Sequence, residues 1–207
     1  MARKKKILLG ILIPIIVISL GIGGLYIGAV IRKNWRSNLP APVVDFPVED
    51  SSVVASIWGY GNQGGDHHNG IDFGCNTSVN IIAWCDLEVK DIETFYNEGG
   101  GHWQTNVGLK FNEKYSFVCA FEPWALNETY GYYQHDAIVV EVGQTISRGE
   151  VIGELLNYGE GTHIHFGMYD DTENVDVCPY HCFSETAKSI FDPIWDANGW
   201  GDDFWYD

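Results

Sequence analysis

Thr162-His163-Ile164-His165-Phe166-Gly167 sits at the head of a candidate strand, His163–Tyr169. In an extended strand residues two apart project from the same face, so His163 and His165 point into one space. A second histidine group lies upstream, Asp66-His67-His68-Asn69-Gly70-Ile71-Asp72-Phe73-Gly74. Within it His68 and Asp72 are four apart with Gly70 between them, a glycine expected to let the chain bend so that an imidazole nitrogen and a carboxylate oxygen converge. Two histidines, one carboxylate and an open fourth position are the donor pattern of a catalytic zinc site.

Around these groups the chain reads as all-β. Short runs of β-branched and aromatic residues bounded by Gly, Asn and Asp predict strands at 80–84, 88–96, 105–111, 115–121, 137–142, 151–156 and 163–169. Turn signals separate them: Asn97-Glu98-Gly99-Gly100-Gly101, then Asn112-Glu113-Lys114, then the glycines at 143 and 149. Regular strand spacing favours an antiparallel sheet or sandwich. Residues 122–136 are expected to form a long loop of the functional kind. A short helix is expected at Glu185–Phe191, and no internal repeat is present.

The N-terminal residues are of another kind. Between Ile7 and Ile31 no residue is charged, a stretch longer than the roughly 20 needed to cross a bilayer as a helix. A cleavable signal peptide is the competing reading, but its apolar region is shorter and ends in a small-x-small site, which does not stand out here. Arg3, Lys4, Lys5 and Lys6 precede the stretch, and Arg32, Lys33 and Arg36 follow it, a small bias that places the C-terminal domain outside the cytoplasm. The sequons at Asn76 and Asn127 agree with that side. The expected organisation is a basic stub at 1–6, a transmembrane anchor at 7–31, a proline-rich linker at 32–50, the folded domain at 51–183 and an acidic, Trp-rich tail at 184–207.

Residues 1–36 hold seven of the twelve basic residues and no acid, which leaves five basic against 28 acidic residues beyond them, a formal charge of −23. Such a surface repels phosphate backbones, so nucleic acid is excluded as a partner and a neutral or cationic substrate is favoured. The cysteines at 75, 85, 119, 178 and 182 are odd in number and do not follow zinc-ribbon spacing; Cys178 and Cys182 leave open a strained local disulfide or half of a metal site.

His68-Asn69-Gly70-Ile71-Asp72-Phe73-Gly74 resembles the H-x-G-x-D-f-g motif of the lysostaphin/LytM-type zinc metalloendopeptidases, and His163-Ile164-His165-Phe166 resembles their H-x-H-f motif. Val142 to Gly153 resembles the V-x-x-G-q-x-v-x-x-G-x-x-I-G segment that precedes the second motif in that family. The resemblance covers roughly residues 55–170. It implies zinc held by His68, Asp72 and His165, a catalytic role for His163, and hydrolysis of peptide bonds in cell-envelope peptides.

One departure bears on activity. The family carries a further catalytic histidine in a Y-a-H-L strand, and alignment on Cys119-Ala120-Phe121-Glu122-Pro123 puts Phe121 in its place. A phenyl ring neither donates a hydrogen bond to an oxyanion nor moves a proton. Three explanations stand: Glu122 does the acid–base work, provided that Pro123 or a bulge re-aims it; His102 or His135 reaches in from a loop; or the domain binds zinc or peptide without cutting. The expected function is accordingly a membrane-anchored, extracytoplasmic zinc metalloendopeptidase, with a catalytically degenerate zinc- or peptide-binding module as the alternative.

Overall fold

The computed structural model describes residues 29–63 and 66–199. The chain divides into two units, Met1–Leu39 and Pro40–Asp207. In the first, residues 29–37 are helical (α1). The stub at 1–6 and all but the last three residues of the expected span at 7–31 lie outside the described residues. Among the described residues no helix is long and apolar enough to cross a membrane.

The second unit is mostly antiparallel sheet. Its strands are β1 Val54–Trp58, β2 Gly61–Gln63, β3 Asp66–His68, β4 Gly70–Cys75, β5 Val79–Ile82, β6 Leu87–Asn97, β7 His102–Lys110, β8 Tyr115–Ala125, β9 Thr145–Ile146, β10 Val151–Leu155, β11 His163–Asp170 and β12 Val175–Val177. An eight-stranded sheet runs β1-β4-β11-β8-β7-β6-β9, with β12 also on β11; β10 pairs with β5 and β2 with β3 in two small sheets. Every pairing of these strands is antiparallel.

The core is aromatic. Trp84 packs edge-on to Phe166 at a centroid distance of 4.5 Å and to Phe117 at 5.2 Å, while Phe73 lies 5.1 Å from Phe46 and 6.2 Å from Phe191. Burying such a side chain contributes roughly 1.5–3 kcal/mol. Two of these rings come from outside the expected domain limits. Within the stretch expected as linker, Val44, Phe46 and Val48 are buried at alternate positions, so the folded unit takes in residues from Pro40 onward. Their alternation lays one side of an extended chain on the core, which three prolines do not prevent because only isolated bridges, Val44 to Phe183 and Val48 to Ile81, are formed.

Part of the expected tail also belongs to the core, while its residues 200–207 lie outside the described residues. Helix α3, Glu185–Asn198, starts where expected, with Ser184 accepting from the Ala187 amide as N-cap, but it runs past Phe191 and through Pro193. Ala187, Phe191 and Trp195 form its buried stripe, and the packing of that stripe outweighs the cost of an interior proline. Gly199, at φ 74°, closes the helix in the left-handed conformation that glycine adopts without strain.

Two further expectations need correction. Residues 122–136 are not a long loop: β8 continues to Ala125, and helix α2, Glu128–Asp136, follows with Asn127 as N-cap. Its Gly and aromatic content hides it from propensity, and it is held by packing, since Gly131 lies against the Trp103 side chain and buried Gln134 bonds to Glu154 and Leu156. Residues 137–142 form no strand beyond a single bridge between Ile138 and Gly153. None of the five cysteines is bonded to another, and burial pushes the thiols of Cys75 and Cys85 up to about 12.

Because α3 closes the core, Phe191→Ala is expected to cost about 3–5 kcal/mol of unfolding free energy in a denaturant titration. Wild-type stability for that variant would place the tail outside the cooperative unit.

Candidate metal centre and adjoining carboxylate

Three neighbouring strands build the site. In the register of β11 with β4, His165 faces Asp72 and His163 faces Gly74; with β8, His165 faces Ala120 and His163 faces Glu122. The intervening residues Ile164, Phe73 and Phe121 form one row on the buried side. Alternation therefore puts His163, His165, Asp72 and Glu122 on the other face together.

His68, at the end of β3, completes the group. Its Nε2 lies 3.1 Å from His165 Nδ1 and 3.2 Å from Asp72 Oδ1, and His165 Nδ1 lies 2.8 Å from the same Oδ1. His68 Nδ1 is 2.7 Å from the carbonyl of Gly59, which can only accept, so Nδ1 carries the proton and Nε2 offers its lone pair inward. Three donor atoms of the kind a first-row metal takes thus face one centre. For zinc at about 2.0–2.1 Å from each donor, a tetrahedron has edges of about 3.3–3.4 Å, so modest spreading of these three atoms admits the ion and the donor set fits it.

Electrostatics agree with the geometry. Burial by itself would raise the Asp72 carboxyl, but hydrogen bonds from His165 and His68 and the nearby imidazoles outweigh it and hold Asp72 well below the usual carboxylate range. Burial likewise opposes a charge on His68, yet the hydrogen bond and charge of Asp72 leave its pKa raised.

Gly70 plays a different part from the one expected. It is not among the positive-φ residues, and it opens a strand instead of a bend. A Cβ there would lie 2.6 Å from the His165 ring and 2.8 Å from the Phe166 carbonyl. The glycine makes room for a ligand to lie flat on the strand.

His163 stands beside the metal donors. Its Nδ1 donates to the Gly161 carbonyl at 2.7 Å, leaving Nε2 3.8 Å from Asp72 Oδ2 and 3.4 Å from Glu122 Oε2. Together with Trp58, Ser56, Glu160 and Thr162, Asp72 and His163 line an open cleft of about 290 Å³.

Glu122, and not Phe121, is on the face that holds the histidines. Phe121 is fully buried, in step with Phe117 and Cys119, whereas Glu122 is the residue opposite His163. No bulge is needed to aim it. The alternation of Phe117, Cys119 and Phe121 is the sequence signal that gives this phase. A bulge does follow: Glu122, Pro123 and Trp124 lie across from Gln104 alone, between the pairs Thr105–Phe121 and Trp103–Ala125. There His102 Nε2 meets Glu122 Oε2 at 2.6 Å. Of the two loop candidates, His102 thus reaches Glu122 from the start of β7, whereas His135 bonds to Thr94 on another part of the sheet.

No protein-family model matches this chain, and no curated protein matches it. Solved structures do. The chain is similar in structure to peptidases of the M23 and lysostaphin type. A point mutant of the catalytic domain of the prophage-encoded M23 protein EnpA from Enterococcus faecalis shares 18% identity at a TM-score of 0.46, over 68% of this chain and 95% of that one. The catalytic domain of the antimicrobial peptidase lysostaphin from Staphylococcus simulans shares 20% at a TM-score of 0.40, over 60% and 87%. Csd3 from Helicobacter pylori shares 19% at 0.48 over 77% of this chain but only 41% of its own length, so this chain spans about two fifths of that protein. These are partial likenesses of fold.

Two outcomes follow from the site. Gly70→Ala is expected to displace the His165 ring and lower the affinity for zinc roughly 10- to 100-fold in a chelator competition, with the fold retained by circular dichroism. In the metal-free chain, the hydrogen bond to Glu122 raises His102 above its ordinary value of 6.5, against the opposing effect of burial. The stability this supplies is fully present below that ordinary value and is lost as pH rises through the raised one. Glu122→Gln is therefore expected to depress the melting temperature more at pH 6 than at pH 9.

Proposed function

We propose that this chain is a membrane-anchored zinc metalloendopeptidase acting outside the cytoplasm on peptide bonds of cell-envelope peptides. The observation that carries the reading is the convergence of His68, Asp72 and His165 on one centre, with His163 and Glu122 on the same face of the sheet beside a cleft. The motif spacing around these residues supports it. The uncharged stretch at residues 7–31 supports the anchor, and a formal charge of −23 beyond residue 36 suits a neutral or cationic peptide.

His68 Nε2, His165 Nδ1 and Asp72 Oδ1 would hold the ion, which supplies a Lewis acid for the scissile carbonyl and lowers the pKa of a water. His163, with Nδ1 pinned by the Gly161 carbonyl, presents Nε2 to the cleft, where, once it has taken up a proton, it donates to the oxygen that gains charge as the carbonyl is attacked. Glu122 takes a proton from the attacking water and returns it to the leaving amine, so that the C–N bond breaks with the proton balance closed. Thr162 holds the loop before His163 in place through its hydroxyl, which donates to the Pro123 carbonyl at 3.0 Å.

The test is cleavage of glycine-containing peptides by the zinc-loaded chain. His68→Ala is expected to lose both stoichiometric zinc and at least about 100-fold in kcat/KM, while Glu122→Gln keeps the zinc and loses about 100-fold or more. Full zinc occupancy without turnover on any such peptide would turn the reading into that of a zinc-dependent peptide-binding module.

A further inference from the structure

His102 lies outside both histidine motifs, yet it is almost completely buried, at 2% exposure, against a carboxylate that is itself 7% exposed. Buried ionisable groups are rarely retained without a partner, and this pair is separated by only 2.6 Å. The hydrogen-bond arithmetic constrains it further. His102 Nδ1 is 3.0 Å from the Gly100 carbonyl, an acceptor, so that nitrogen carries a proton. His102 Nε2 and Glu122 Oε2 then hold one proton between them, either as imidazolium and carboxylate or as neutral imidazole and carboxylic acid. The hydrogen bond to Glu122 raises the pKa of His102 against the opposing effect of burial.

The surroundings are built to keep the pair in place. Trp124 sits at φ 62°, a left-handed conformation that costs a non-glycine residue of order 1–3 kcal/mol and is retained only where the surroundings impose it. Its ring lies 5.0 Å from that of His102, tilted by 31°, and it also covers Gly161, where a Cβ would collide with the indole. Gly161 is the residue whose carbonyl fixes His163. Glu122 and His163 are the titratable groups facing His102, the His163 ring at 6.5 Å. One strained tryptophan thus touches both the loop that orients His163 and the histidine that holds Glu122.

We propose that His102 is a positioning residue: it shares a proton with Glu122 and so keeps that carboxylate directed at the space beside His163. This rests on the peptidase reading and adds to it a residue that no motif marks. His102 itself does not touch the substrate.

The experiment uses the zinc-loaded full chain with ¹⁵N-labelled histidine. Both ring nitrogens of His102 are expected to be protonated at pH 7.5, and Glu122→Gln is expected to return the ring to the neutral form with Nε2 unprotonated. A neutral His102 in the wild type at that pH overturns the proposal. In turnover assays His102→Leu is expected to lower kcat roughly 10- to 100-fold with KM and zinc stoichiometry unchanged, and His102→Gln, whose amide still donates to Glu122, is expected to recover part of the loss. Wild-type kcat in His102→Leu overturns the positioning role alone. A fully zinc-loaded wild type without turnover overturns the peptidase reading, and the positioning role falls with it.

Discussion

The register of β11 between β4 and β8 is the constraint on which the rest depends. One strand carries two histidines two positions apart, and its neighbours supply a carboxylate each, Asp72 from one side and Glu122 from the other. Because side chains alternate, the same register that stacks Ile164 and Phe166 on Phe73, Phe121 and Cys119 must also bring the four polar groups to one place. A slip by a single residue would exchange the two faces, burying imidazoles and exposing phenylalanines. The aromatic core therefore specifies the site as much as the site residues do.

Backbone carbonyls then settle what each histidine does. Those of Gly59, Gly161 and Gly100 take up the Nδ1 protons of His68, His163 and His102, and leave each Nε2 to face a carboxylate or a metal donor. The three histidines acquire different parts because they point at different things: His68 at the metal donors, His163 at the cleft, His102 at Glu122. Glycines recur near these contacts for steric reasons. Gly70 admits the His165 ring and Gly161 the Trp124 ring, neither of which would tolerate a Cβ beneath it.

Much of this was legible in the chain, and the misreadings have physical causes. Most of the predicted strands lie within a residue or two of the observed ones, since β-branched runs between Gly and Asn mark them locally. Glu122 needs no bulge to face His163, because the burial alternation of Phe117, Cys119 and Phe121 already sets it on that side. Helix α2 was invisible to propensity, and the stretch holding Val44, Phe46 and Val48 read as linker, because both owe their structure to a core assembled from distant strands.

By itself the sequence determined the all-β character, the two histidine groups with their spacing, the acidity of the folded unit and the start of α3, all of them properties carried by neighbouring residues. Tertiary structure alone decided that Asp72 and His165 meet across a strand pair, that Gly70 is a matter of space and not of bending, and that His102 reaches Glu122. The physical reason is that a strand's own pattern says which residues share a face, while only pairing with its neighbours says what that face meets.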